Sequence, residues 1–141
     1  MFISGCATPQ VGQPEVTKTI AQPFDRVWAG TVAAVSGDYP LQVIEKVSGV
    51  LETQMVGLGN AAKDYAFPPS VFLGVWGETR GRLSLYLKSA GETNTIVRIK
   101  GHFEGFEFNV THNWHVWPSK GVLEQTIMEK IESNARAEAN R

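Results

Sequence analysis

The sequence predicts an α+β domain in which a curved antiparallel sheet of about five strands, in the order β-α-β-β-β-β-α, grips a long C-terminal helix. The first observation is the stretch from Ser119 to Ala137, where apolar residues recur at helical spacing, at Val122, Leu123, Ile127, Ile131 and Ala135. The second is that most upstream segments alternate apolar and polar residues, as half-buried strands do. Because an isolated helix of this length is only marginally stable in water, its apolar stripe needs the sheet as a packing surface.

The N-terminal half predicts a strand, a helix and a hairpin. Residues 15–20 alternate and are rich in β-branched side chains, which is typical of a strand. Pro23 suits the start of a helix, because the first turn does not use the N–H that proline lacks. The residues after it form one apolar helical face, at Phe24, Val27, Trp28, Thr31, Val32 and Val35. Residues 40–46 and 50–56 then predict two strands joined by the turn signal Ser48-Gly49.

The C-terminal half predicts two longer strands and the final helix. Residues 81–89 place Leu83, Leu85 and Leu87 on one face, and residues 93–103 place Val97 and Ile99 on one face. Past Gly105 the apolar residues change parity, to Phe106, Phe108 and Val110, which predicts a β-bulge that curves the sheet. Ser119 follows Pro118 directly and is predicted to cap the final helix.

Composition narrows the classes of function. The chain has 141 residues, 43% of them hydrophobic and 19% charged, which is typical of one globular domain with a real core. A net charge of −1 offers no basic field for nucleic acid. No apolar run approaches the ~18 residues that a membrane-spanning helix needs. With one cysteine, the domain has no internal disulfide, and no Cys/His pattern has zinc-site spacing.

The N-terminal residues 1–14 carry a candidate lipid-attachment site. Ile3-Ser4-Gly5-Cys6 resembles the lipobox at the end of a bacterial lipoprotein signal peptide, which implies that Cys6 is the acylated residue. The polar, proline-containing stretch that follows is predicted to be a flexible tether. The alternative is a tail with an incidental thiol.

Six aromatic residues are the candidates for binding a partner or a ligand: Tyr65, Phe67, Phe72, Trp76, Trp114 and Trp117. The first four lie in residues 57–79, a glycine- and proline-rich segment predicted to be a long loop. These side chains either close an open end of the core or form a mobile apolar flap that meets a protein, a lipid or a small ligand. The two C-terminal tryptophans either close the final helix onto the sheet or make such a contact.

The sequence contains no recognisable catalytic or metal-binding arrangement, and it implies no cofactor. His112 and His115 lie an odd number of residues apart and so point to opposite faces of a strand, which argues against a shared metal ion. A catalytic role would need one of them beside a carboxylate in a cleft.

Two segments resemble a known family. Residues 16–53 contain Pro-Phe-Asp-x-Val-Trp, Tyr-Pro-Leu-x-Val and Lys-x-Ser-Gly-Val-Leu-x-Thr, and residues 114–131 contain Trp-x-Val-Trp-Pro-Ser-Lys-Gly-Val-Leu-Glu. Both are similar to small Gram-negative envelope lipoproteins with a BamC-like helix-grip domain. The resemblance implies one helix-grip domain over residues 15–141, tethered to the outer membrane through Cys6 and facing the periplasm. It also implies a non-enzymatic module that binds an envelope protein or scaffolds an assembly. The alternative is a carrier of a small ligand or lipid, with an apolar cavity under the C-terminal helix.

Overall fold

The computed structural model describes residues 15–139, so the predictions for Cys6 and the rest of residues 1–14 lie outside the described residues. In chain order the elements are β1 (Glu15–Ile20), α1 (Phe24–Ser36), β2 (Leu41–Glu45), β3 (Val50–Thr53), β4 (Val56–Gly57), a 3₁₀ turn (Gly59–Ala61), α2 (Ala62–Tyr65), β5 (Trp76–Ser89), β6 (Thr95–Glu107), β7 (Asn113–Trp117) and α3 (Val122–Ala139).

The described strands form one seven-stranded antiparallel sheet built on the two long strands β5 and β6. The main order is β1-β6-β5-β3-β2, with β4 also on β5 and β7 also on β6. β1 pairs with residues 95–100 of β6, and β7 pairs with residues 103–107, so the two short strands follow each other along one side of β6. The predicted α+β class and the C-terminal helix packed on the sheet are confirmed.

The sheet has seven strands instead of the predicted five, because the sequences of β4 and β7 do not show the alternating pattern that indicates a strand. β4 has only two residues, which is too short for an alternating pattern. β7 has large side chains on both faces, so its apolar residues do not alternate cleanly with polar ones.

Both long helices pack on one face of the sheet and enclose the core. The inward residues of β5 and β6 alternate with outward ones as predicted, and Leu83, Leu85, Val97 and Ile99 are fully buried. The helices cover them with side chains of 7% exposure or less, from Val27, Trp28, Ala34, Val35, Leu123, Ile127, Met128, Ile131 and Ala135.

The predicted bulge after Gly105 is wrong. β6 keeps its alternation and its register with β5 and β7 through Gly101 and Gly105, and Phe106 simply faces outward. Both glycines face inward, where large neighbours take the space that side chains would fill: Phe103 and Glu124 beside Gly101, and Trp117 beside Gly105. The irregularity in this region lies instead in β5, between Trp76 and Thr79.

The final helix begins at Val122 instead of Ser119. Gly121 has a φ of 79°, a left-handed conformation that separates Ser119 from the helix. The Ser119 hydroxyl is buried, where it accepts a hydrogen bond from the Gly121 N–H at 3.0 Å and donates one to the Glu124 carboxylate at 2.5 Å. Ser119 therefore fixes the entry to α3 from outside the helix.

The contact between α1 and α3 yields the first testable prediction. A Cβ on Gly30 would lie 3.1 Å from the Ala135 backbone N and 3.2 Å from the Ile131 backbone O, so the helices meet through backbone. Replacing Gly30 with leucine is expected to separate the helices and to lower the free energy of unfolding by about 1–3 kcal/mol. Ala29→Leu, at the exposed neighbouring position, is the control in urea denaturation, and equal midpoints for the two variants would contradict the prediction.

Candidate functional site

The main surface feature is a groove of about 630 Å³ at one end of the sheet. One wall comes from β4 with its flanking residues, including Met55, Asn60 and Lys63. The other comes from residues 76–80 at the start of β5, together with Trp114 and Trp117 of β7. We call this feature the tryptophan groove.

Arg80 in the tryptophan groove is held by two neighbouring side chains. Its guanidinium carbon lies 3.7 Å from the centroid of the Trp114 ring, a cation–π contact. Its Nε donates a hydrogen bond of 2.7 Å to Glu104 Oε1 on the neighbouring strand. Both partners hold the planar guanidinium in one orientation, which suits it to a binding surface.

Glu104 is shared between Arg80 and His102. The second carboxylate oxygen of Glu104 lies 2.8 Å from His102 Nε2. Burial alone would raise the pKa of Glu104, but its hydrogen bonds with His102 and Arg80 and the charge of Arg80 outweigh burial and lower the pKa. Glu104 therefore stays ionised and balances the charge of Arg80.

The predicted aromatic residues separate into different environments. Trp76 and Trp114 are half-buried and line the tryptophan groove. Trp117 touches the groove but is 1% exposed, so it mainly closes the core, and the Trp76 ring packs edge-on against it at 5.3 Å. Tyr65 packs against Phe103 at 6.1 Å between ring centroids. All three tryptophans therefore line the groove, but only Trp76 and Trp117 contact each other, while Trp114 packs against Phe106 and Arg80.

The predicted long loop is shorter than expected, because its longest stretch without helix or strand is residues 67–75. Residues 57–79 contain the end of β4, the 3₁₀ turn, α2 and the first residues of β5. Ala66 forms an isolated bridge with Ser119, and the Phe67 N–H donates to the Pro118 carbonyl at 2.7 Å. Tertiary pairing outweighs the helix- and strand-breaking composition of this segment.

Two loops, residues 66–75 and residues 108–111, lie beyond the tryptophan groove. They expose a group of apolar side chains that we call the apolar tip: Phe72, Leu73, Val75, Phe108 and Val110. The Phe108 N–H donates to the Val75 carbonyl at 3.1 Å, and the Asn109 side chain donates to the Leu73 carbonyl at 2.8 Å. Phe72 is 86% exposed and lies outside the groove.

A buried carboxylate, Glu107, fastens these two loops to each other. It accepts hydrogen bonds from the backbone N–H groups of Val75 at 2.9 Å, Asn109 at 2.7 Å and Val110 at 2.9 Å, and also from Thr111. Burial alone would raise the pKa of Glu107, but these backbone donors outweigh it and hold the pKa far below its usual range. Glu107 therefore acts as a structural anion.

His115 does lie near a carboxylate, through Thr111. The Thr111 hydroxyl donates to Glu107 Oε1 at 2.9 Å and lies 2.7 Å from His115 Nε2. Because the carboxylate takes the hydroxyl proton, His115 donates to the hydroxyl oxygen and is not placed to remove that proton. His112 is exposed with a φ of 50°, and residues 15–139 contain no cluster of His, Cys, Asp and Glu suited to a metal ion.

Sequence reasoning did not include Arg80 or Glu104 among the candidate binding residues. Their residue types carry no signal alone, and what brings them together is the pairing of Arg80 with Glu104 across β5 and β6. Over residues 15–139, no helix is both long enough and apolar enough to cross a membrane. No protein-family model matches the sequence, and none of the curated proteins is significantly similar to it.

Proposed function

We propose that this chain is a non-catalytic, lipid-anchored module of the bacterial envelope, facing the periplasm, that binds a protein partner through the tryptophan groove. The observation that carries the proposal is the fixed group of Trp76, Trp114 and Arg80 on an open groove. The few residues that dominate the binding energy of protein interfaces are enriched in tryptophan and arginine, and here both are held in place before any partner arrives. The envelope address rests on Cys6 and the family resemblance.

The carrier hypothesis remains the alternative, and core packing weighs against it. A carrier of the kind predicted needs an apolar cavity between the C-terminal helix and the sheet. In the described residues this space is occupied by Ile127, Met128 and Ile131 of α3 against Leu85 and Ile99 of the sheet, all of them 3% exposed or less.

Site-specific photo-crosslinking in the natural host tests the groove. A photoreactive residue in place of Asn60, in the groove wall, is expected to give one discrete protein adduct, whereas the same residue in place of Glu92, in an exposed turn away from the groove, gives none. Trp114→Ala is expected to reduce the Asn60 adduct about tenfold, as loss of an interface hot spot does. Equal adducts at both positions, or an adduct unaffected by Trp114→Ala, would refute the groove as the binding surface.

Mass spectrometry of the membrane-extracted protein tests the anchor and the alternative. For protein expressed from its true upstream start in a Gram-negative host, a chain that begins at an acylated Cys6 supports the envelope address, and an unmodified chain that retains Met1 contradicts it. Native mass spectrometry of the same extract distinguishes the two functions, because a stoichiometric small ligand on the protein would favour the carrier.

A further inference from the structure

The apolar tip gathers five of the ten exposed large hydrophobic residues of the described chain. Phe72 is 86% exposed and Leu73 69%, with Val75, Phe108 and Val110 between 44% and 48%. Single exposed hydrophobic residues need no explanation, but five on two adjoining loops form a patch that water solvates poorly.

The tip is held in place by its own hydrogen bonds. Glu107 binds the backbone of both loops, and the Asn109 side chain spans from one loop to the other. A buried carboxylate with several backbone donors is a strong restraint, because each unmade bond would leave a buried polar group without a partner. The exposed side chains are thus presented in one fixed arrangement.

Leucine at position 73 is unfavourable for the stability of the fold. It is the third residue of the turn Val71–Gly74, which the Gly74 N–H closes on the Val71 carbonyl at 2.8 Å, and its φ is 62°. A turn of this form prefers glycine there, since a bulky side chain strains the left-handed conformation. The chain therefore carries a strained backbone and an exposed leucine at the same position, and backbone strain of this kind is typical of functional sites.

The composition of the tip fits lipid better than protein. Residues 66–75 and 108–111 contain no charged side chain. Five side chains on two narrow loops are also far fewer than the ~20–30 residues that each partner of a stable protein complex contributes. A bilayer surface needs no complementary shape and accepts Phe and Leu side chains at its acyl boundary.

The direction of β1 shows that its first residue, Glu15, is nearer than its last residue to the end of the sheet that carries the tip. Glu15 pairs with Lys100 and Ile20 with Thr95, so β1 is entered from the end of β6 that leads to Glu107 and the tip. Seven residue-to-residue steps along the strand, about 23 Å, separate Lys100 from Glu107. The nine residue-to-residue steps from Cys6 to Glu15 can span up to about 30 Å, so an anchor at Cys6 can reach the level of the tip.

We propose that the apolar tip inserts into the acyl boundary of a phospholipid bilayer and forms a lipid contact separate from Cys6. The inserted side chains are Phe72, Leu73, Val75, Phe108 and Val110, and Glu107 fixes the loops that carry them. This contact goes beyond the proposed function, because it requires neither acylation nor the tryptophan groove.

The full chain with Cys6→Ser, which has no acylation site, is tested against vesicles of pure phosphatidylcholine. This variant has no other cysteine, so Val110→Cys and Val47→Cys each provide one site for a polarity-sensitive fluorophore. Val47 is the matched control because it is fully exposed and lies in the β2–β3 turn, beside the Leu87 end of the sheet and away from the tip. Vesicles are expected to shift the emission to the blue at position 110 and to leave it unchanged at position 47.

Leu73→Gly separates lipid contact from folding. The glycine relieves the left-handed strain, so the variant is expected to melt no lower than its parent, yet its vesicle-bound fraction in sedimentation falls about tenfold. Val47→Ser is expected to bind as the parent does. The proposal is overturned if position 110 shows no shift, if Leu73→Gly binds as well as Val47→Ser, or if binding requires anionic lipid. A blue-shifted emission before vesicles are added would also overturn it, because protein, either a second copy or residues 1–14, would then cover the tip.

Discussion

Replacing Gly105 with alanine is expected to lower the free energy of unfolding by about 3 kcal/mol, although the change adds a single methyl group. A Cβ at this position would lie 2.5 Å from Trp117 Cε2 and 2.7 Å from Trp117 Cζ2. The Trp117 ring is 1% exposed and has Trp76 packed edge-on against it, so it cannot rotate away without disturbing the core.

Urea denaturation measures this loss, with two controls. Gly37→Ala adds the same methyl group where no atom lies within 4 Å, and it is expected to change stability by no more than about 0.5 kcal/mol. Trp117→Leu removes the ring that alanine would meet, so Gly105→Ala is expected to cost much less in that background. Additive effects of the two substitutions would show that the ring is not the obstacle.

Replacing Glu107 with glutamine is expected to give the second large effect, a loss of stability at neutral pH together with a flatter response to acid. The glutamine side chain keeps the shape but offers an NH₂ group where backbone N–H donors converge, so several of them lose their acceptor. Loosening of the two loops is expected to accompany this loss, as faster amide exchange at Val75 and Val110.

The sign of the pH dependence follows from the lowered pKa of Glu107. The ordinary value is 4.5 and the folded value is far lower, so the unfolded chain binds a proton at a higher pH than the folded chain does. The stabilisation by the carboxylate is complete above the ordinary pKa and is lost progressively as the pH falls below it. The parent should therefore lose more stability than Glu107→Gln between pH 6 and pH 3, a window of about one unit or more on each side of the ordinary value.

Denaturation curves across that window test the assignment. Glu92→Gln, in an exposed turn, removes one carboxylate without touching this network and should keep the acid response of the parent. Glu104, whose pKa is also lowered, is present in all three proteins and does not affect the comparison. Parallel curves for the parent and Glu107→Gln would show that Glu107 does not carry the acid response.

The features predictable from sequence are those with a local cause. α1 forms where an apolar face follows Pro23, and β5 forms where Leu83, Leu85 and Leu87 alternate with polar residues. Gly105 misled the sequence reasoning, because a glycine inside a strand has the same sequence pattern whether it marks a bulge or makes room for a ring.

The candidate site could not be predicted from the sequence, because it is formed by contacts between residues that are far apart in the chain. Trp114 was recognisable as a large aromatic residue, but its partner Arg80 is 34 positions away and reaches it across β6. Glu107 resembled an ordinary strand glutamate, and only the return of two loops to the same carboxylate reveals its role.

The antiparallel pairing of β1 with β6 has a mechanical consequence. Tension on residues before Glu15, along the axis of β1, loads the six residue pairs between β1 and β6 together, in shear. The Lys18–Glu132 ion pair, at 2.6 Å, also joins the same strand to α3. A peeling force would break such pairs one at a time, whereas shear must break them nearly at once. The strand nearest to the proposed anchor is thus arranged to resist pulling.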